Sequence, residues 1–319
     1  MSSEYRSPWW LPGRHAQTIY PASGMPLPAV AYRREVWQTP DDDFIELDWL
    51  QQGPPAGGEQ PLLVLLHGLE GSSQSHYAKR IMHAAGNAGW RGVVVHFRGC
   101  GGKPNLQPRS YHCGDSAEVD WILRRMRRQT SGSIHVVGVS LGGNVLLKWL
   151  GEQQTEAVPI VNKAAAVSTS LDLPTTGRVL AQGFNRLYSR IFLNTLKPKA
   201  LAMIRQHRLD LDYERIRATD NLWDYDNLFT APLHGFAGAD DYWQRSNCRP
   251  YLRDIRLPAL LINARNDPFL PEQFLPAPHE VSGEVRLDFP PHGGHVGFAD
   301  SGSQDWLAGR LLRFFSTEN

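Results

Sequence analysis

The sequence contains few cysteines. Cys100, Cys113 and Cys248 are the three in its 319 residues, and no two of them have CxxC spacing. A disulfide framework is therefore not predicted. The hydrophobic content of 41% is that of an ordinary globular protein with enough apolar residues for a sizeable core.

Long apolar segments and a dominant charge are also missing. The longest apolar run, residues 62–66, falls far short of the roughly 20 residues that span a bilayer. Residues 1–10 include Glu4, Arg6 and Pro8 and lack the apolar core of a signal peptide. We therefore expect a cytoplasmic protein without a transmembrane segment. The net charge of +1 predicts neither nucleic-acid binding nor strong attraction to an anionic surface.

Short apolar runs alternate with amphipathic stretches through most of the chain. Strands are predicted as a pair within residues 35–50 and singly at 62–66, 92–97, 134–139 and 163–168, and helices at 76–88, 115–128 and 141–150. Continuous apolar strands separated by amphipathic helices indicate an α/β protein with a mostly parallel central sheet and helices on both faces.

The alternation stops at about residue 172 and returns after residue 253. Strands are predicted again at 257–264 and 284–289, and a closing helix at 303–315. The intervening residues, 172–253, show helical patterns and no strand pattern. We therefore predict a core formed by residues 1–171 and 254–319, with a helical cap, residues 172–253, inserted after the sixth strand.

Two segments of the predicted core have no periodicity. Residues 1–34 are rich in Pro, Trp and Gly, and we expect an extended N-terminal arm that packs on the core. Residues 51–60 are rich in Gly and Pro and are predicted to form a loop.

Ser140 lies in the motif Gly138-Val139-Ser140-Leu141-Gly142, between a predicted strand and a predicted helix. A serine with glycines two residues away on each side, in a strand-turn-helix setting, is typical of a nucleophile elbow. The turn is so tight that the flanking positions must be small. Ser140 is therefore a candidate nucleophile, and the remaining requirements are a base, an acid and an oxyanion hole.

The acid and the base are expected after Ser140 in the sequence, in that order. Asp267 follows the predicted strand 257–264, and His295 follows the predicted strand 284–289. Loops at the carboxyl ends of parallel strands are where such sheets place functional residues. His292 is an alternative base, and an aspartate before proline is by itself an ordinary turn residue.

The oxyanion hole requires two backbone N–H groups near the nucleophile. One is predicted to come from Leu141, directly after Ser140. The other is predicted to come from Leu69, in the loop His67-Gly68-Leu69-Glu70-Gly71 after the strand at 62–66. Glycines in this loop allow the backbone to approach a substrate closely.

The order of these motifs resembles that of the α/β-hydrolases, and specifically the YheT-like branch. That branch includes mammalian α/β-hydrolase-domain lipases and the plant embryogenesis-associated EMB8-like proteins. The segments that carry the resemblance are Pro8-Trp9-Trp10, His15-Ala16-Gln17-Thr18, 67–71, 96–100, Arg109-Ser110-Tyr111-His112, 138–142, 230–236, 266–269 and 293–298.

The resemblance implies an α/β-hydrolase fold and a Ser140-Asp267-His295 triad. It also implies hydrolysis of carboxylic (acyl) esters through an acyl-enzyme, with no metal and no cofactor. The expected partner is a small-molecule or lipid ester, with short- to medium-chain esters or acylglycerols as the substrate class. A serine at the elbow, rather than an aspartate, argues against dehalogenase and epoxide hydrolase chemistry.

Two alternatives to ester hydrolysis stay open. The H-x4-D spacing of His295 and Asp300 is discussed for acyltransferases of this family, although His295 is also the expected triad base. A binding or regulatory protein with an unused triad is the second alternative, because a fold does not fix a function.

The cap is expected to set substrate specificity. Phe184, Tyr188 and Phe192 are candidate substrate-binding residues, although packing of the cap onto the core is the commoner role of such side chains. Arginines and lysines are interleaved with them, which leaves open contact with a lipid surface, although a solvated helix face is the commoner explanation. The oligomeric state is not predicted.

Overall fold

A computed structural model of the protein describes residues 5–51, 59–301 and 305–317. Its centre is an eight-stranded sheet in the order β1-β2-β4-β3-β5-β6-β7-β8. The strands are β1 (Tyr32–Gln38), β2 (Phe44–Leu50), β3 (Leu62–Leu66), β4 (Arg91–His96), β5 (Ile134–Val139), β6 (Lys163–Val167), β7 (Ala259–Ile262) and β8 (Val285–Asp288). The α/β prediction and the order of strands and helices in the core are confirmed, with small shifts at the element ends.

The sheet is parallel from β4 to β8, and β1 and β2 form an antiparallel edge. The central strands end at matching positions, since Leu66 pairs with Gly138, and Val139 pairs with Val167. The loops that follow β3, β5 and β6 therefore lie side by side, at the edge where open α/β sheets bind ligands.

Helices cover both faces of the sheet. They are α2 (His76–Asn87), α3 (Ser116–Arg128), α4 (Leu141–Gln153) and α11 (Trp306–Ser316). Successive side chains of a strand point to opposite faces. Leu63 and Leu65 of β3 accordingly pack with α2 and α11, while Val64 and Leu66 pack with α3 and α4. Both faces are apolar, which explains why the strands read as continuous hydrophobic runs.

A helical segment joins β6 to β7 and forms the cap. Its helices are α5 (Leu173–Leu180), α6 (Arg186–His207), α7 (Tyr213–Ala218), α8 (Leu222–Tyr225), α9 (Ala231–Leu233) and α10 (Ala239–Ser246), with a π-helical turn at Asp226–Thr230. Leu193, Ile216 and Phe229 are buried in its own apolar cluster, and Phe269 of the core packs against the same cluster. The cap insertion after the sixth strand is confirmed, whereas its bounds as a separate domain stay a prediction.

The N-terminal arm is not wholly extended, so that expectation was wrong. Residues Arg14–Ser23 form helix α1, whose buried residues are Gln17, Thr18 and Pro21. The buried face is largely polar, so the helix has no hydrophobic periodicity that would reveal it in the sequence. Packing of the arm on the core is confirmed by the buried side chains of Tyr5 and Leu11.

Two further expectations fall partly outside the described residues. They are the loop at 51–60, of which residues 52–58 are not described, and the start of the helix predicted at 303–315. No helix within the described ranges is long and apolar enough to cross a membrane. The cytoplasmic location stays a prediction.

Candidate active site

Ser140 sits on a sharp turn between β5 and α4. Its backbone has φ 53° and ψ −114°, a region that non-glycine residues rarely adopt and that clusters at functional sites. The turn requires small neighbours: a Cβ on Gly142 would lie 2.3 Å from the Leu66 carbonyl oxygen, and a Cβ on Gly138 2.4 Å from that of Gly142. The backbone N–H of Ser140 donates to the Val167 carbonyl over 2.9 Å.

The structure brings His295 and Asp267 to Ser140. The distance from His295 Nε2 to Ser140 Oγ is 3.1 Å, and that from His295 Nδ1 to Asp267 Oδ2 is 2.9 Å. The three side chains come from the loops after β5, β7 and β8. They form the continuous hydrogen-bonded chain that a serine nucleophile, a histidine base and an orienting acid require.

Asp267 is held by its own loop. Its side chain is 1% exposed, and its second oxygen, Oδ1, accepts a hydrogen bond from the Phe269 N–H over 2.8 Å. The Phe269 ring lies over the His295 imidazole, with 4.0 Å between the ring centroids. Phe269 therefore positions both the Asp267 carboxylate and the His295 imidazole.

Helix α1 supports the loop of His295. The N–H of His295 donates to Thr18 Oγ1 over 2.9 Å. Gln17 Oε1 accepts hydrogen bonds from the Gly293 N–H over 3.0 Å and from Asn266 Nδ2 over 2.9 Å. One glutamine thus joins the loop of the base to the loop of the acid. Sequence reasoning gave these residues no role, although their segment was part of the family resemblance.

Two backbone N–H groups near Ser140 have no acceptor among the described residues. Within the described parts of the chain, neither the Leu69 N–H nor the Leu141 N–H has a hydrogen-bond partner. The loop of Leu69 lies against the serine, because a Cβ on Gly68 would be 3.2 Å from Ser140 Cβ. Unpaired donors beside a nucleophile suit the stabilisation of a developing oxyanion.

His67 fixes the base of the Leu69 loop. Its Nε2 accepts a hydrogen bond from the Phe97 N–H over 3.1 Å, and its Nδ1 donates to the Gly68 carbonyl over 2.7 Å. Burial lowers the pKa of His67 to about 3, so the ring is neutral and keeps one donor and one acceptor. The loops after β3 and β4 are therefore linked directly through the His67 side chain.

A cavity of about 560 Å³ lies between the core and the cap and reaches Ser140 and Leu141. Its apolar lining includes Leu69, Leu173, Leu180, Phe192, Leu196, Met203 and Phe269. Phe192 is thus at the cavity wall. Phe184 and Tyr188 lie outside the cavity lining and contact His15 of α1, with ring centroids 4.3 and 5.9 Å from it.

The alternative residues of the sequence lie away from Ser140. His292 is exposed, with its Nδ1 3.5 Å from Asn266 Nδ2. The carboxylate of Asp300 accepts a hydrogen bond from the Arg6 N–H over 3.3 Å.

Cys100 and Cys113 line the cavity, but burial raises the pKa of each thiol to about 12. Both thiols are therefore protonated at neutral pH.

The described residues contain no group of three or more His, Cys, Asp or Glu side chains that could hold a metal ion. The three cysteines are free thiols.

Comparisons with known proteins agree with this fold. The sequence model of the α/β hydrolase fold family matches residues 61–301. The chain is 36% identical to the YheT protein of Escherichia coli (strain K12), whose name assigns it provisionally to the esterases, over 95% of this chain and 90% of that protein. It is 28% identical to the phospholipase ABHD3 of Mus musculus, over 86% of this chain and 68% of that protein.

A solved structure shows the same fold. The Pyrococcus furiosus esterase Pf2001 superposes with a TM-score of 0.55 and 18% identity, covering 92% of this chain and 97% of that one. The chain therefore belongs to the α/β-hydrolase family. Within that family, it is a member of the YheT-like branch.

Proposed function

We propose that the protein is a serine esterase that cleaves carboxylic esters through an acyl-enzyme, with Ser140, His295 and Asp267 as its catalytic triad. The observation that carries the proposal is the pair of hydrogen bonds, 3.1 and 2.9 Å long, that joins Ser140 to His295 and His295 to Asp267. The names of the relatives, an esterase and a phospholipase, support hydrolysis of an ester bond.

In the first half of the reaction, His295 Nε2 takes the proton of Ser140 Oγ, which attacks the ester carbonyl carbon. The carbonyl oxygen becomes an oxyanion, for which the free N–H groups of Leu69 and Leu141 are suitable donors. Protonated His295 then gives its proton to the leaving alcohol, and the acyl group stays on Ser140. Asp267 remains ionised and keeps the imidazole in the required tautomer.

In the second half, water takes the place of the alcohol. His295 removes a proton from the water, whose oxygen attacks the acyl carbon. The collapse of the second tetrahedral intermediate releases the carboxylic acid and returns the proton to Ser140. Every proton is carried by His295, so the proposed triad residues and one water molecule supply all the groups that these steps need.

The cavity supports an acyl ester as the substrate. Its volume of about 560 Å³ is within the range of pockets that enclose small organic ligands. The cap, residues 172–253, contributes much of its apolar wall, including Leu180, Phe192 and Leu196. We infer that the acyl chain lies along this wall, which favours short- to medium-chain esters or acylglycerols.

Hydrolysis of p-nitrophenyl esters from acetate to palmitate tests the proposal. Ser140→Ala should lose nearly all activity at every chain length and should no longer react with a fluorophosphonate probe. Ser170→Ala is the matched control, because Ser170 also lines the cavity, and it should keep both properties. Retention of most esterase activity by Ser140→Ala would disprove the role of Ser140.

The probe also tests the alternative of a silent binding protein. Such a protein has no activated serine, so wild type would stay unlabelled under conditions that label a known serine esterase. Labelling of wild type but not of Ser140→Ala is the result that we expect.

A further inference from the structure

The arm and the cap expose a set of large apolar side chains, here called the apolar face. It consists of Trp9, Trp10, Ile19, Phe184, Leu187 and Ile191. These are six of the eleven exposed large hydrophobic side chains of the described residues, and Trp9 is 91% exposed. Scattered apolar side chains are normal on a protein surface, whereas a contiguous patch marks an interaction site.

Contacts of α1 with α6 and with the turn before it bring the arm and cap parts of the apolar face together. The His15 and Phe184 rings lie 4.3 Å apart, and His15 Nδ1 is 3.2 Å from the Tyr188 hydroxyl. Ile19 follows His15 by one helical turn on α1. Phe184 lies in the 3₁₀ turn Gly183–Asn185 directly before α6, and Leu187 and Ile191 follow it on α6 at the spacing of one helix face. At the other end, the Trp10 ring packs on Tyr20, the neighbour of Ile19, at 5.1 Å.

Arginines lie at the rim of the apolar face. Arg14 and Arg190 are exposed, and neither has a carboxylate partner in the part of the chain that is described. Arg186 pairs over 3.4 Å with Asp220, and both side chains are more than half exposed. Such a surface pair is weak and exchanges readily. The face therefore combines an apolar centre with available positive charge.

This combination of apolar side chains and positive charge fits an anionic lipid surface better than a second copy of the chain. Tryptophan has an apolar body and a polar N–H and is enriched at membrane–water interfaces. Basic residues beside such side chains add attraction to anionic lipid headgroups. A second copy of the chain on a two-fold axis through the apolar face would bring Arg14 and Arg190 toward equivalent arginines, whereas anionic headgroups supply a counter-charge to both.

The apolar face is close to the candidate active site. Tyr188, which contacts His15, packs against Phe269 with 4.9 Å between the rings, and Phe269 lies over His295. Two side chains thus separate the face from the proposed base. A surface that binds lipid at this position would bring the cavity near lipid esters.

We propose that the apolar face docks on the surface of an anionic lipid membrane. The net charge of the whole sequence, +1, is close to zero. It does not oppose docking, because the local arrangement of Arg14 and Arg190 decides the attraction within a Debye length of the surface. The docking goes beyond ester hydrolysis and does not depend on it, so it can be measured with an inactive variant.

Co-sedimentation of Ser140→Ala with vesicles tests the docking. One set of vesicles contains phosphatidylcholine alone, and the other contains phosphatidylcholine with phosphatidylglycerol. We expect enrichment on the second set, weakened by added salt, with a blue shift of tryptophan emission. Leu187→Glu/Ile191→Glu should bind at least tenfold more weakly, and Arg14→Gln/Arg190→Gln should lose about fivefold per arginine on the anionic vesicles.

The matched controls are Trp223→Ser and Val158→Glu, which alter exposed apolar residues elsewhere on the surface. Both should bind like the parent. When each of these substitutions is made in the wild-type chain, with Ser140 retained, the variant should hydrolyse p-nitrophenyl butyrate at the normal rate, which reports correct folding. No enrichment on either vesicle set would overturn the proposal. So would a dimer in light scattering that Ile191→Glu converts to a monomer, because the face would then be a self-association surface.

Discussion

Lys199 of the cap forms an ion pair with Glu70 of the loop after β3, with 2.7 Å between Lys199 Nζ and Glu70 Oε2. The Glu70 side chain is 6% exposed, and its Oε1 accepts a hydrogen bond from the Tyr111 hydroxyl over 2.8 Å. The same hydroxyl accepts one from the Glu70 N–H over 2.9 Å. Because Glu70 directly follows Leu69, these contacts fix the peptide next to the proposed oxyanion donor and tie it to the cap.

Lys199→Met should lower kcat for a soluble ester. A nearly buried carboxylate that loses its cation is strongly unfavourable, so Glu70 and the Leu69 N–H should move. Loss of a complete oxyanion donor costs about 10²–10³ in kcat, and we expect roughly tenfold for a displaced one. KM should change little, because the donor binds charge that develops only in the transition state. Steady-state kinetics measures both constants.

Lys197→Met is the matched control for this ion pair. Lys197 lies on the same helix, and its ammonium donates to the carbonyls of Arg217 and Thr219, within the cap. Lys197→Met should keep a normal kcat. Lys199→Arg, which retains the positive charge, should recover most of the kcat that Lys199→Met loses. Equal kcat values for Lys199→Met and Lys197→Met would show that the ion pair has no part in catalysis.

Thr18→Val should impair both stability and turnover. The N–H of His295 would lose its acceptor at Thr18 Oγ1, and an unpaired, partly buried donor costs about 1–3 kcal/mol. We expect a corresponding decrease in the free energy of unfolding in urea, with a lower kcat because the imidazole is less well positioned. Thr18→Ser keeps the hydroxyl and should stay close to wild type in both measurements. If Thr18→Val matched Thr18→Ser, the support from α1 would be unimportant.

The meeting of Ser140, Asp267 and His295 could be predicted from sequence because each of them has a local signature. Ser140 lies in a motif that needs small neighbours, and Asp267 and His295 each follow a strand of a parallel sheet. The strands themselves are continuous apolar runs, and two of them, Leu62–Leu66 and Ile134–Val139, have the predicted bounds. These features depend on a few adjacent residues, and a sequence displays them directly.

The support from α1 and the orientation of α6 could not be predicted in this way. Gln17 and Thr18 are polar residues on the buried face of a short helix, and no periodicity distinguishes them from a solvated segment. The apolar residues of α6 predict a helix, but not which of its faces meets the cavity. In the structure Phe192 lines the cavity, whereas Phe184 is exposed beside α1. Tertiary packing alone decides this difference.

Substitution of Phe192 should change the preferred acyl length. Phe192→Ala enlarges the cavity and should shift the optimum toward longer esters. Phe192→Trp should lower kcat/KM for the longest accepted chain by about tenfold or more, since one methylene in an apolar pocket is worth about 10–200-fold. The measurement is a p-nitrophenyl ester series. Phe184→Ala is the control, and it should leave the length profile unchanged; a profile that follows Phe184 and not Phe192 would place the acyl chain outside this cavity.

Asp226 should make the stability of the protein depend on pH. The side chain lines the cavity, where its two oxygens accept hydrogen bonds from the Trp243 indole over 2.8 Å and from the Thr230 hydroxyl over 2.7 Å. Burial raises the pKa of Asp226 to about 6 despite these bonds. An aspartate in the unfolded chain has a pKa of about 3.9. Between these values the folded state holds the proton more tightly, so the contribution of Asp226 to stability decreases as the pH rises from about 4 to about 6.

Asp226→Asn removes this titration and can keep both hydrogen bonds, because its oxygen accepts from Trp243 and the Thr230 hydroxyl can rotate. Between pH 4 and pH 7, the unfolding free energy of wild type should therefore decrease by about 1–3 kcal/mol more than that of Asp226→Asn. Urea unfolding of both proteins at several pH values measures the difference. Thr230→Val removes a bond that lowers the pKa of Asp226, so it should extend the pH-dependent range above pH 6. A difference between wild type and Asp226→Asn that is constant over this range would mean that Asp226 is already ionised in the folded protein at pH 4.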